Sequence, residues 1–170
     1  MRIGVVELEI RRPETNLRAA RQALEACATE GCRLVLFPAY LGNVLSEEGM
    51  EVFVRLRRGE PARATFAACE ELLSRWAREA GVYLVGGSVL VPAGSEASPG
   101  YVNLCPAFSP SGEVILRQLQ THADAGERER GLVTGHELGR FSAEELVVGP
   151  VVGTDVMVPE VSRIHSLLGA

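Results

Sequence analysis

The side chains with which this chain could do chemistry are four cysteines, three histidines and a large set of carboxylates. Lysine is absent: all 17 basic residues among the 170 are Arg, so any mechanism needing a lysine amine is closed to it. Cys27, Cys32, Cys69 and Cys105 contain no CxxC pair and no ligand-like spacing to the histidines, so no zinc or other metal site is expected. Cys27 and Cys69 fall on apolar helical stripes, where a reduced thiol packs as a small hydrophobe. Cys105 lies between Leu104 and Pro106 on an expected strand, with no base assigned to it, so it is a poor nucleophile. Four reduced, structural cysteines are the expectation, and with them a cytoplasmic location.

Composition narrows the partners. Acidic residues number 22, the formal charge is −5 and the pI is about 5.3, which argues against nucleic acid or an acidic membrane surface. Aromatic residues are 5% of the chain, too few for base-stacking platforms. Apolar residues make up 46%, enough to bury a core in a single domain over 1–170. The start of the chain carries no long apolar run, being interrupted at Glu7, and no window is apolar enough to span a bilayer.

The elements that must position these groups alternate. A strand is expected over Arg2–Glu9, followed by a helix opened by Pro13-Glu14-Thr15, with Leu17, Ala20, Leu24, Cys27 and Ala28 inward and Gly31 as its stop. Cys32–Phe37 reads as a strand covered on both faces, and Gly42, Asn43 and a short acidic stretch as a loop. A second helix is expected from near Pro61, with Phe66, Cys69, Leu73, Trp76 and Ala80 inward and Gly81 ending it. Val82–Val91 reads as a strand. Tyr101–Phe108 and Glu113–Leu119 read as a hairpin turning at Ser109-Pro-Ser-Gly112. Gln120–Glu145 is mostly loop, Val147–Val152 a strand and Pro159–Leu168 a final helix, which Thr154 or Asp155 could cap. Pro106 and Pro150 fall inside expected strands, which should therefore be edges or distorted. This alternation is that of an α/β protein with helices packed outside a sheet.

With that order in place, several segments resemble the carbon–nitrogen hydrolase (nitrilase) superfamily: Asn16, Leu34-Val-Leu-Phe-Pro38 with Gly42, Val85-Gly-Gly87, Tyr101-Val-Asn103 with Ser111-Gly112, His122, Gly135, Val148-Gly149, and Asp155-Val-Met-Val-Pro159-Glu160-Val-Ser-Arg163. The resemblance covers nearly the whole chain. It implies an α/β fold of the αββα sandwich type, here incomplete, because in the family the last helix leads into further strands and helices. It also implies a catalytic Glu, Lys and Cys, acting as general base, charge stabiliser and thiolate nucleophile. Carried over by position, these fall on Ala39, Gln120 and Gly153, so no catalytic residue is expected. A buried Glu and Lys neutralise each other, and losing both avoids the stranded charge that losing one would leave.

Around those positions, Gln120 reads as a polar loop residue, and Glu127 and Glu129 as solvated charges near where the family often carries a second acid. His122 could pair with Asp155, a role the resemblance makes structural. Arg55-Leu-Arg-Arg58, among Glu47, Glu48, Glu51 and Glu60, reads as a solvated face. The expected function is a catalytically inactive relative, serving as an interaction or regulatory module or as one piece of a split protein. The alternatives are residual amide or nitrile hydrolysis by displaced groups, and a relic without function. No cofactor is expected. The expected partner is a second copy, or a protein supplying the missing half, because strands rich in Leu34, Val35, Leu36, Leu84, Val85, Val147 and Val148 would leave one sheet face bare.

Overall fold

The computed structural model describes residues 1–62, 66–95 and 98–170. In chain order the elements are β1 (Ile3–Val5), α1 (Pro13–Thr29), β2 (Leu34–Leu36), α2 (Leu41–Val44), α3 (Glu47–Arg57), α4 (Ala67–Ala80), β3 (Tyr83–Val85), β4 (Val89–Ser95), β5 (Ser98–Phe108) and β6 (Val114–Leu119). There follow α5 (Ala125–Glu129), β7 (Phe141–Ala143), β8 (Leu146–Val148), a 3-10 turn (Gly153–Met157) and α6 (Pro159–Leu167). The expected mixed α/β architecture is present.

Strands β1, β2 and β3 run parallel in register, Ile3 beside Leu34 and Leu34 beside Tyr83. The long β5 then takes β3 and β4 along one edge and β6 along the other, all antiparallel. The expected single strand over Val82–Val91 is thus two strands, broken at Gly86-Gly87-Ser88. The break is enforced at Gly87: its φ is +70, and a Cβ there would lie 2.1 Å from the Pro38 carbonyl oxygen. Pro106 lies in β5, a central strand and not an edge. The distortion it requires is the register shift between Ala107 and Phe108. Pro150 lies buried between β8 and the 3-10 turn, in no strand.

Alternation along the strands divides the core. Val35, Leu84 and Phe108 point to one face, where α1 and α4 cover them with Ala20, Leu24, Leu73, Trp76 and Ala77. Leu34, Val85, Cys105 and Ala107 point to the other face, beneath Phe141, Ala143 and Val152. This corrects the expectation of a bare second face. The β7–β8 hairpin and the segment after it fold back over β2, β3 and β5 and leave β1 open, with Ile3 and Val5 exposed.

Two further differences come from short elements. The stretch read as an acidic loop forms α2 and α3. In α3 the Ser46 hydroxyl accepts from the Gly49 N–H, Glu47 and Glu48 sit in the first turn, and Arg55 and Arg57 in the last. Only Val52 and Leu56 of α3 are buried, too brief a stripe to stand out as periodic. The helix expected from Pro61 begins at Ala67, with Pro61 and Ala62 outside it; residues 63–65 lie beyond the described set. Gly81 ends α4 as expected.

Candidate functional site

The site is built where β5 and β6 end and the loops after them meet the 3-10 turn. Asn103 of β5 and Gln120, just past β6, lie on adjacent chains, and the Gln120 N–H donates to the Asn103 carbonyl at 2.9 Å. The side chains repeat the link, with Asn103 Nδ2 donating to Gln120 Oε1 at 2.8 Å. On its other side, Gln120 Nε2 lies within hydrogen-bond distance of the His122 carbonyl (2.7 Å), Thr154 Oγ1 (2.8 Å) and Glu127 Oε2 (3.0 Å). Gln120 is 1% exposed. It is not the polar loop residue expected, because three acceptors converge on its amide nitrogen and hold it inside.

Glu127 corrects a second expectation. It is buried, whereas Glu129 is exposed as expected. The cause is the capping box that starts α5: Asp124 accepts from the Glu127 N–H, and Glu127 Oε2 accepts from the Asp124 N–H at 3.0 Å. That turn points the carboxylate inward, where Gln120 and Thr154 also donate to it. Among the described residues its hydrogen-bond donors are all neutral. The Asn103 Oδ1 atom is buried without a hydrogen-bond partner among the described residues.

Gly153 is brought against this network. Its φ is +57, and a Cβ there would lie 2.2 Å from Gln120 Oε1 and 3.1 Å from Asn103 Nδ2. The carboxamide of Gln120 therefore fills the space a side chain at 153 would need. Ala39 sits exposed in the turn after β2, with a side chain that can neither donate nor accept a hydrogen bond.

Asp155, 1% exposed, organises the neighbouring loop. It accepts from the backbone N–H groups of Thr121 and His122 at 2.9 and 2.7 Å, and lies 3.1 Å from His122 Nδ1. The expected His122–Asp155 pair is thus present. Neither Asp155 nor Thr154 caps α6, whose N-cap is Val158 with no side-chain cap bond. Both residues point back to Thr121, His122 and Glu127, because the 3-10 turn lies between them and the helix.

Cys105, the candidate displaced nucleophile, is not an activated thiol. Cys105 is buried in the sheet, and burial pushes its thiol up to about 12, so it stays protonated at neutral pH. Burial, with the charge of Glu70, likewise pushes Cys69 up to about 12. All four cysteines are free. Among the described residues, no three His, Cys, Asp or Glu side chains are placed to share a metal ion, and no helix is long and apolar enough to cross a membrane. Sequence reasoning singled out Gln120 and Gly153 but missed the hydrogen bonds of Asn103 and Thr154 to Gln120 and the inward turn of Glu127. The available signal was Asp124-x-x-Glu127, a helix-start pattern whose acid reaches back to its own cap.

Solved structures with this fold define its class. An amidase from Nesterenkonia sp. aligns with the whole chain and 62% of its own at a TM-score of 0.74 and 22% identity. A mutant of the Nesterenkonia AN1 amidase from the nitrilase superfamily does so at 0.75 and 24% identity, again over 62% of that chain. The fold is nitrilase-like. In sequence, the chain is similar to the Omega-amidase NIT2-B of Xenopus laevis, 30% identical over 91% of this chain and 54% of the relative. It is also similar to the Omega-amidase NIT2 of Danio rerio, 25% identical over 99% of this chain and 60% of the relative. No family model matches it. The chain spans about half to three fifths of the length of these curated relatives. Sequence and fold together relate it to the carbon–nitrogen hydrolase (nitrilase) superfamily.

Proposed function

We propose that this single nitrilase-like domain has lost acyl-transfer chemistry and acts as an interaction or regulatory module. The observation carrying this reading is the Gln120 carboxamide, whose Oε1 lies 2.2 Å from where a Cβ on residue 153 would stand. At the positions the family resemblance assigns to nucleophile, cation and base, the chain has Gly153, Gln120 and Ala39. The network around Gln120 offers neither a thiolate nor a cation to a tetrahedral intermediate. A role in contacts is supported by exposed apolar side chains in two places. Ile3 and Val5 of β1 lie beside the β7–β8 turn, tied by the Met1 amine to Glu145; Val156, Met157, Ile164 and Leu167 project from the 3-10 turn and α6. The partner is a second copy, or a protein complementing this portion of the sandwich, and the compartment is the cytoplasm.

The omega-amidase names of its relatives choose the assay. Purified protein is incubated with omega-amides, simple aliphatic amides, nitriles and N-carbamoyl substrates, and intact mass is followed for a covalent adduct. No turnover and no adduct are expected. Turnover that disappears on Cys105→Ala would overturn the proposal. The combined replacement Ala39→Glu, Gln120→Lys and Gly153→Cys is also expected to stay inactive. Gly153 has a left-handed backbone with the residue 120 side chain against it, and catalytic groups work only when a rigid shell places them.

A further inference from the structure

Where α1 gives way to β2, two thiols meet at the edge of the core, away from the candidate site. The Cys32 N–H donates to the Cys27 carbonyl at 2.9 Å, the Gly31 N–H donates to the Ala28 carbonyl at 3.0 Å, and Gly31 has φ +77. This pair of bonds is the Schellman helix ending, which sets the third-from-last helical side chain against that of the second residue past the cap. Ordinarily that contact is between two hydrophobes. Here both residues are cysteine.

The strand beneath confirms that the sulfurs converge. A Cβ built on Gly4 of β1 would lie 2.7 Å from Cys27 Sγ and 3.3 Å from Cys32 Sγ, so both sulfurs face the same point of β1. Cys27 is partly exposed and Cys32 is buried, so an attacking reagent meets Cys27 first. We propose that Cys27 and Cys32 are a reversible dithiol–disulfide site, oxidised by a small-molecule disulfide such as oxidised glutathione.

The Cys27 thiolate attacks one glutathione sulfur and breaks its S–S bond, releasing one glutathione thiolate, which takes up a proton. The Cys32 thiolate then attacks Cys27 Sγ, forming the protein disulfide and expelling the second glutathione. The two protein thiols are oxidised by two electrons, and one glutathione disulfide is reduced to two thiols. Burial, and then the neighbouring Cys32, hold the Cys27 thiol above its usual range, so the reaction quickens as pH rises towards alkaline values.

The test uses the folded wild-type protein. Cleavage after Arg21 and Arg33 delivers both cysteines in one peptide, Gln22–Arg33. After exposure to oxidised glutathione, this peptide is expected to lose two hydrogens and regain them with dithiothreitol, while Cys69 and Cys105 stay reduced. Cys32→Ser is expected to stop at one glutathione retained on Cys27. A peptide that stays reduced, one that carries two separate glutathiones, or one that oxidises only after unfolding in urea would each overturn the proposal. These readings come from the wild type, so they hold whether or not the variant folds.

Discussion

Gln120 is the residue on which the candidate site turns. Its two amide ends serve different masters: Oε1 accepts from Asn103, and Nε2 serves His122, Thr154 and Glu127. Gln120→Ala would leave buried Asn103 Nδ2 without its acceptor and take one donor each from the Glu127 carboxylate and the His122 carbonyl, at about 2–4 kcal/mol of stability. Gly153→Cys forces a side chain into a left-handed backbone, itself about 1–2 kcal/mol, and into the Gln120 carboxamide. The two effects are coupled. In a double-mutant cycle by urea unfolding, Gly153→Cys is expected to cost less in the Gln120→Ala background than in wild type, and equal costs would show that the two side chains do not compete. Cys105 supplies a pH signature. Its thiol has an ordinary value of 9.0 and is pushed up to about 12 by burial. Between those values the unfolded chain has lost a proton that the folded chain keeps, so stability falls as pH rises. The slope approaches about 1.4 kcal/mol per pH unit for this thiol. Urea midpoints from mildly to strongly alkaline pH should decline, and less steeply in Cys105→Ala; the same slope in both would clear the buried thiol of responsibility.

Among the elements, α2 is the least self-sufficient and the most tightly tied. It has four residues, all buried, and its hold on the sheet is Asn43. The Asn43 side chain accepts from the Leu90 N–H at 2.6 Å and donates to the Leu90 carbonyl at 3.1 Å, as a neighbouring strand would. Asn16 of α1 closes the other side by donating to the Val44 carbonyl at 2.9 Å. Asn43→Ala removes both Leu90 partners and should destabilise by about 2–4 kcal/mol. Hydrogen exchange would locate the damage in β4, with faster exchange at the Leu90 amide. Unchanged protection there would show that the asparagine only fills space. The same element explains why the sequence was opaque here. Asn and Gly read as loop formers, and only contact with β4 makes Asn43 a bridge.

At the scale of the whole molecule, α1 and α4 cover one face of the sheet and the β7–β8 segment covers part of the other. Val5 is 74% exposed, Met157 79% and Leu167 77%, while α6 buries little more than Val161 and His165. Each large apolar side chain covered on association contributes about 1.5–3 kcal/mol. Self-association in the low micromolar range is therefore expected from size exclusion with light scattering. Met157→Glu with Leu167→Glu should weaken it at least about tenfold, a change of about 1.4 kcal/mol. A monodisperse monomer that unfolds cooperatively and binds no hydrophobic dye would show that the chain closes its own core.

What the sequence determined by itself follows from local chemistry. Pro13 and Gly81 mark helix ends through backbone geometry, the period of α1 and α4 sets their buried stripes, and the Ser109–Gly112 turn closes the β5–β6 hairpin at the place its residues dictate. The absence of lysine and the residues at 39, 120 and 153 are likewise matters of sequence. Only the tertiary structure decided that Glu127 turns inward, that Gln120 is a buried hub, that Thr154 and Asp155 serve loops 27 or more residues away, and that Phe141 and Ala143 roof the second sheet face. These outcomes depend on partners distant in the chain, and a polar residue's own type does not say whether its hydrogen bonds go to water or to such partners.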